Sequence, residues 1–203
     1  MFATPALPRP VVLADLLPRT KVSTAALVIG GALLTAAASQ VQVPLGFTPV
    51  PVNGLTFAAL LVGGALGSRR GIAAVGLFWV LGAIGLPFYA GGTGGLTHAT
   101  GATAGYLLGA VVAAGLVGMV AERGGDRRVA TSVAAMLAVN VALIWVPGTI
   151  WMSHVVGVPV LGSAPSGFSM GIQPFIIGDI AKLALAGLLL PVGWRFAGRS
   201  SEG

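Results

Sequence analysis

Five long apolar runs, 23–41, 71–89, 101–121, 129–150 and 174–196, constrain this chain more than any other feature. Each approaches the roughly 20 helical residues needed to cross a hydrocarbon layer about 30 Å thick at about 1.5 Å per residue. A sixth run, 52–67, is apolar but short. It reads as a tilted short helix or a re-entrant segment whose backbone the surrounding protein must satisfy. Charged residues make up only 8% of the chain, against about a quarter in a soluble domain, so water is not its main solvent. The 32 glycines agree, because small residues let helices approach closely in lipid. The runs are continuous and rich in Ala, Leu and Gly, without the alternation of a membrane barrel. The expectation is an all-α integral membrane protein with six transmembrane helices.

Basic residues orient it. Arg9, Arg19 and Lys21 precede the first run, Arg69 and Arg70 separate the second from the third, and Arg123, Arg127 and Arg128 separate the fourth from the fifth. Arg195, at the end of the run 174–196, and Arg199, just beyond it, close the chain. With six spans all of these fall on one side, which the positive-inside rule makes cytoplasmic, so both termini are expected there. Dropping 52–67 would scatter them. The expected division is a cytoplasmic lead (1–22), a membrane domain (23–196) and a cytoplasmic tail (197–203). A rival reading makes the first run a signal peptide ending at Ala36-Ala37-Ala38, but Pro5, Pro8, Pro10, Asp15 and Pro18 in the lead are unusual for one. The net charge of +6 is spread over the ends of apolar runs, which argues against a nucleic-acid partner.

The outer loops differ from the inner ones. Residues 42–54 carry Pro44, Pro49 and Pro51, which favour an extended backbone, and the next outer loop holds Gly91-Gly92-Thr93-Gly94-Gly95. The third, 151–173, is long. Such loops serve as binding loops or as plain connections.

Away from the basic end and the tail residue Glu202, the remaining charges are Asp179 and Lys182, three apart on one face of the last helix. Intramembrane charges face the interior, where this pair either locks helix packing or grips a polar ligand from outside. His98, in the glycine-rich loop, is a further candidate donor or a solvated residue. Asn140 could tie two helices together, and Trp151 and Trp194 suit an interfacial belt. No P-loop motif, metal-spaced His/Glu cluster or compelling Ser–His–Asp order is present, and there is no cysteine. Neither an enzyme nor a resident cofactor or metal is expected.

Four ordered motifs carry a resemblance. Val43-Pro44-Leu45-Gly46-Phe47-Thr48-Pro49-Val50-Pro51-Val52 is similar to the signature after the first helix of BioY-type biotin transporters. Gly82-Ala83-Ile84-Gly85-Leu86-Pro87-Phe88-Tyr89-Ala90-Gly91-Gly92, Gly101-Ala102-Thr103-Ala104-Gly105-Tyr106-Leu107 and Gly178-Asp179-Ile180-Ala181-Lys182 follow in the family's order. The resemblance implies a six-helix S component of an energy-coupling factor (ECF) transporter in the cytoplasmic (inner) membrane. It would capture biotin from outside and work with a transmembrane T component and a pair of cytoplasmic ATPases. By the same resemblance Asp179 takes the ureido ring and Lys182 the polar or carboxylate end, with His98, Gly94, Gly95 and Tyr106 completing the site. Ala32 and Ala36 would dock the T component. The chain departs from the family at Leu55, where Gln is common, at His98, where Arg is frequent, and in Gly101–Tyr106, where the family commonly reads Gly-Pro-Thr-Gly-Gly-Tyr. An S component or secondary carrier for another vitamin keeps the same topology. Membrane lipid is an expected partner, and action alone, as a homo-oligomer or with ATPases all fit the sequence.

Overall fold

The computed structural model describes residues 11–199. Residues 1–10, with Arg9 and three of the lead's prolines, and 200–203, with Glu202, lie outside the described residues.

Six helices longer than ten residues, among those described, form the bundle. Helix α1 (Lys21–Gln40) begins at a reciprocal cap, the Ser23 amide donating to Thr20 Oγ1 and the Thr20 amide to Ser23 Oγ. It starts two residues before the apolar run, because the cap rather than hydropathy sets its first turn. Residues 42–54 then form a flap closed by a two-residue antiparallel ladder, Gln42–Val43 against Val52–Asn53. Helix α2 (Leu55–Leu66) follows. Its 12 residues span about 18 Å, short of the hydrocarbon thickness. Its surroundings explain why: α2 packs against α1, α3, α4 and α6, and Ala58, Ala59 and Leu60 have no exposed surface.

Helix α3 (Ser68–Ala83) starts one residue after α2, its first amide donating to the Glu122 carboxylate at 2.7 Å. It stops six residues before the end of the apolar run 71–89. Gly85, at φ +112°, and Pro87 turn the backbone aside, so 84–89 is loop despite its apolar composition. Helix α4 (Ala104–Glu122) comes after a four-residue helix, Leu96–Ala99. The fifth, Val129–Val156, is one continuous helix of 28 residues, α5, six residues longer than its apolar run, and Asn140–Trp145 within it form a π turn. Helix α6 (Ile176–Arg199) enters through a 3-10 turn at Gln173–Phe175.

The packing is that of a protein solvated by hydrocarbon. Interior positions hold small residues such as Ala110, Ala113 and Ala114, while large apolar side chains such as Ile29, Val112, Ile150 and Leu185 point outward. Among the described residues four helical segments, α1, α4, α5 and one from Gly167 to Ala197 that takes in most of α6, are long and apolar enough to cross a membrane.

The two ends differ. One gathers the arginines with residues 11–20: Asp15 meets Arg70 at 2.6 Å and Arg19 at 2.8 Å, and Arg127 lies 3.6 Å over the Trp194 ring. Residues 11–20 are therefore packed onto the bundle rather than trailing from it. The opposite end holds the flap and the other long loops.

Candidate functional site

At the loop-rich end a cavity of about 330 Å³ opens between the flap and helices α2, α4, α5 and α6. Three features of local sequence build it. The prolines of the flap keep its backbone extended, so Pro44, Leu45, Pro49, Val50 and Pro51 form one wall. Phe78, Tyr106, Ile144 and Phe175 supply apolar surface from α3, α4, α5 and the turn before α6. Asp179 and Lys182 enter from the beginning of α6.

Asp179 is 1% exposed and lies in the first turn of α6, where the helix N-terminus favours a carboxylate. Its two oxygens have different neighbours. Oδ2 accepts from the Trp145 indole N–H at 2.8 Å and from Asn140 Nδ2 at 3.3 Å. Oδ1 meets Lys182 Nζ at 2.6 Å and accepts from Thr56 Oγ1 at 3.3 Å. Lys182 also donates to the carbonyl of Asn53, in the flap, at 2.7 Å. The charge pair is thus internally compensated, as a buried pair must be to offset its desolvation.

The other expected residues fall in distinct places. Tyr106 is buried, its ring on the cavity and its hydroxyl on Thr149 Oγ1 (3.0 Å) and the Gly171 carbonyl (2.9 Å). His98 is exposed at the cavity mouth, with Nδ1 3.0 Å from the Gly94 carbonyl oxygen. Gly94 and Gly95 shape the loop from behind rather than line the cavity. A Cβ on Gly94 would stand 2.3 Å from the Leu86 carbonyl oxygen, and Gly95 has φ +94°. Ala32 and Ala36 are 1% and 7% exposed and face the bundle interior, so the outward face of α1 belongs to Ile29, Gly30, Leu33, Leu34 and Ala37.

Several site residues were outside the sequence expectation. Asn140 reaches across to α6, but its partner is the carboxylate itself, and Trp145 joins it there. Thr56 comes from the short second run. Gln40 pins the glycine-rich loop: Nε2 donates to the carbonyls of Phe88 and Tyr89, each at 3.1 Å, while Oε1 accepts from the Gly92 amide at 2.8 Å. Two tryptophans assigned to an interfacial belt also have specific partners, Trp151 the Gly101 carbonyl and Trp194 the Asp126 carboxylate. A polar residue within an apolar run was the available signal for Gln40 and Asn140. Among the described residues no three His, Cys, Asp or Glu side chains cluster as a metal site would need.

Comparison with known proteins bears on this geometry. Residues 13–199 match the BioY family. The probable biotin transporter BioY of Pyrococcus horikoshii is 33% identical over 153 residues, covering 75% of this chain and 85% of that protein. The biotin transporter BioY of Rhodobacter capsulatus is 36% identical over 165 residues, covering 78% and 85%. Among solved structures, the S-component for biotin from an ECF-type ABC transporter superposes with a TM-score of 0.74 at 27% identity, covering 84% of this chain and 90% of that one.

Proposed function

The chain belongs to the BioY family, and from that premise we propose that it captures biotin and serves in its uptake as the S component of an ECF-type transporter. It is a multi-pass membrane protein and a transporter, not an enzyme. The observation that carries the reading is the pairing of one buried carboxylate with an otherwise largely apolar cavity of small-molecule size. Biotin's ureido N–H groups are donors for Asp179, a charge-assisted arrangement, and its thiophane ring and valeryl chain suit Phe78, Ile144 and Phe175. Its carboxylate then falls to a cation, Lys182 or His98 at the mouth. Tyr106 forms part of the wall, and Gly94 and Gly95 set the loop that carries His98.

The six-span topology belongs to the same proposal, with α2 and α3 completing the count and both termini in the cytoplasm of a cell whose inner membrane holds the protein. The arginines gathered at one end support it. A T component and a cytoplasmic ATPase pair supply the driving force. Docking on α1 uses the outward face beside Ala32 and Ala36, which pack inward. Surrounding lipid covers the other outward faces, and a second copy of the chain is an alternative cover for part of them.

Equilibrium binding of biotin to the purified protein in detergent, beside Asp179→Asn, tests the reading. Loss of one charged hydrogen-bond acceptor lowers affinity by about ten-fold or more. Unchanged affinity in the variant would remove Asp179 from recognition, and no binding by folded wild type would remove biotin. Because the chain has no cysteine, single substitutions Arg19→Cys and Thr97→Cys report sidedness directly by labelling with an impermeant maleimide. Labelling of both from the same side would overturn the topology.

A further inference from the structure

The π turn in α5 has a consequence for the carboxylate of α6. In an α-helix, positions five apart are separated by about 500° of rotation, which leaves them about 140° off a common face. Asn140 and Trp145 are five apart, yet both reach Asp179 Oδ2. The wider i→i+5 turn spanning Asn140–Trp145 is what brings them together. Both are buried, Asn140 at 0% and Trp145 at 8% exposure.

Asn140 bears a cost for this. Its Nδ2 donates to the carboxylate while its Oδ1, equally buried, has no hydrogen-bond partner. Turning the amide over would set that oxygen against the carboxylate, so the charge on Asp179 fixes its orientation. An apolar side chain of the same size would fill the space without an orphaned acceptor. Asn140 is therefore explained by the N–H it offers Asp179 and not by packing. Trp145 adds the shorter of the two bonds and also shows its ring to the cavity.

The two oxygens of Asp179 thus divide their work. Oδ2 is taken by two buried, uncharged donors from one helix. Oδ1 faces Thr56 and Lys182, both of which line the cavity and neither of which is fully buried. We propose that Asn140 and Trp145 are positioning residues that clamp Asp179 through Oδ2 and so reserve Oδ1 as the oxygen that accepts a ligand's N–H. This rests on the biotin-capture reading above.

The test pairs Trp145→Phe, which keeps a ring at the position but removes the N–H, with Asn140→Leu, which keeps the branched four-atom skeleton of Asn and removes its amide. Thr56→Val serves as the comparison on the Oδ1 side. Binding of biotin is measured beside binding of biotin methylated on either ureido nitrogen, and thermal unfolding in detergent verifies the fold. In wild type one of the methylated compounds binds more weakly than biotin. In Trp145→Phe and Asn140→Leu biotin affinity falls about ten- to a hundred-fold, and its preference over that compound shrinks toward one, because the acceptor is no longer aimed. Equal losses for biotin and the methylated compound, or no loss, would overturn the clamp. An isotope-edited infrared band of the Asp179 carboxylate supplies a readout that does not need biotin. It shifts in Trp145→Phe if the indole N–H holds Oδ2, and an unmoved band would overturn the clamp even where Asn140→Leu fails to fold. Failure of wild type to bind biotin would sink the capture reading alone, leaving the carboxylate band to decide the clamp.

Discussion

Lys182 donates to the backbone carbonyl of Asn53 at 2.7 Å, fastening the flap to the helix that carries Asp179. The same ammonium lies 2.6 Å from Asp179 Oδ1, so one side chain holds a loop and neutralises a buried carboxylate. Lys182→Met removes both contacts. The carboxylate is then left without its counter-charge, which costs about 3–5 kcal/mol where such pairs are buried and less here because the lysine side chain is 23% exposed. Lys182→Met is therefore expected to be destabilised by about 2 kcal/mol or more in detergent unfolding. The double variant Lys182→Met/Asp179→Asn regains much of that loss, because no unpaired charge remains. Simple additivity of the two substitutions would show that the pair is not coupled.

Gln40 holds the loop opposite the flap. Its one side chain engages two loop carbonyls closely and the Gly92 amide. Gln40→Leu keeps the side chain's bulk and removes all of these bonds. The Gly92 amide, which also donates to the Tyr89 carbonyl at 3.1 Å, is expected to exchange its hydrogen about five- to ten-fold faster, since each lost bond contributes about 1 kcal/mol. Biotin affinity should drop several-fold, because Tyr89, Ala90 and Thr93 of this loop line the cavity. Unchanged exchange at Gly92 would mean that the loop holds its shape without Gln40.

Sequence made the membrane helices legible because a bilayer imposes a length and an apolar composition on each, whatever the tertiary context. Asp179 and Lys182 were legible for the same reason, since charge inside an apolar run has few causes. Composition could not show where helix gives way to loop inside one apolar run, as at Gly85 and Pro87. Nor does periodicity orient a helix that is apolar all round, and so the inward packing of Ala32 and Ala36 emerges only from their neighbours. Asn140 and Trp145 are not neighbours on any α-helix. Their meeting at Asp179 depends on a π turn that no local signal announces. The shortness of α2 was readable from its apolar run, but the run 52–67 overstates the helix, because Val52 and Asn53 pair within the flap, and its central burial was not readable at all.

The contact of residues 11–20 with the bundle carries a pH signature. Burial works against ionisation of Asp15, but the Arg19 and Arg70 guanidinium groups and the Val12 amide outweigh it and bring its carboxyl down from 3.8 to about 2. A carboxyl lowered on folding stabilises the folded state above its unfolded value, and that contribution disappears as pH falls through the folded value. Wild type should thus exceed Asp15→Asn in unfolding temperature by a nearly constant margin, about 2–4 °C, from pH 7 down to about 4. The margin closes as the pH is lowered toward 2. Arg70→Gln, by removing one partner, moves the closure to higher pH. A margin that does not vary with pH would show that Asp15 acts by packing alone.

Two glycines in mid-helix separate close packing from mere composition. Gly63 of α2 faces α4 so closely that a Cβ would stand 2.2 Å from the Ala114 carbonyl oxygen. Gly30 of α1 is exposed, with nothing within 4 Å of its Cβ position. A methyl group at 63 must push two backbones apart, whereas one at 30 only restricts the unfolded chain and favours helix. Gly63→Ala is therefore expected to lose about 1–3 kcal/mol of stability, the range for overpacking a tight core. Gly30→Ala should be neutral or gain up to about 1 kcal/mol. Unfolding in detergent, by heat or denaturant, compares them directly. If Gly63→Ala is tolerated as well as Gly30→Ala, the closeness of α2 and α4 is not what holds the centre of the bundle together. The placement of Thr56, one α2 residue that reaches Asp179, would then need another support.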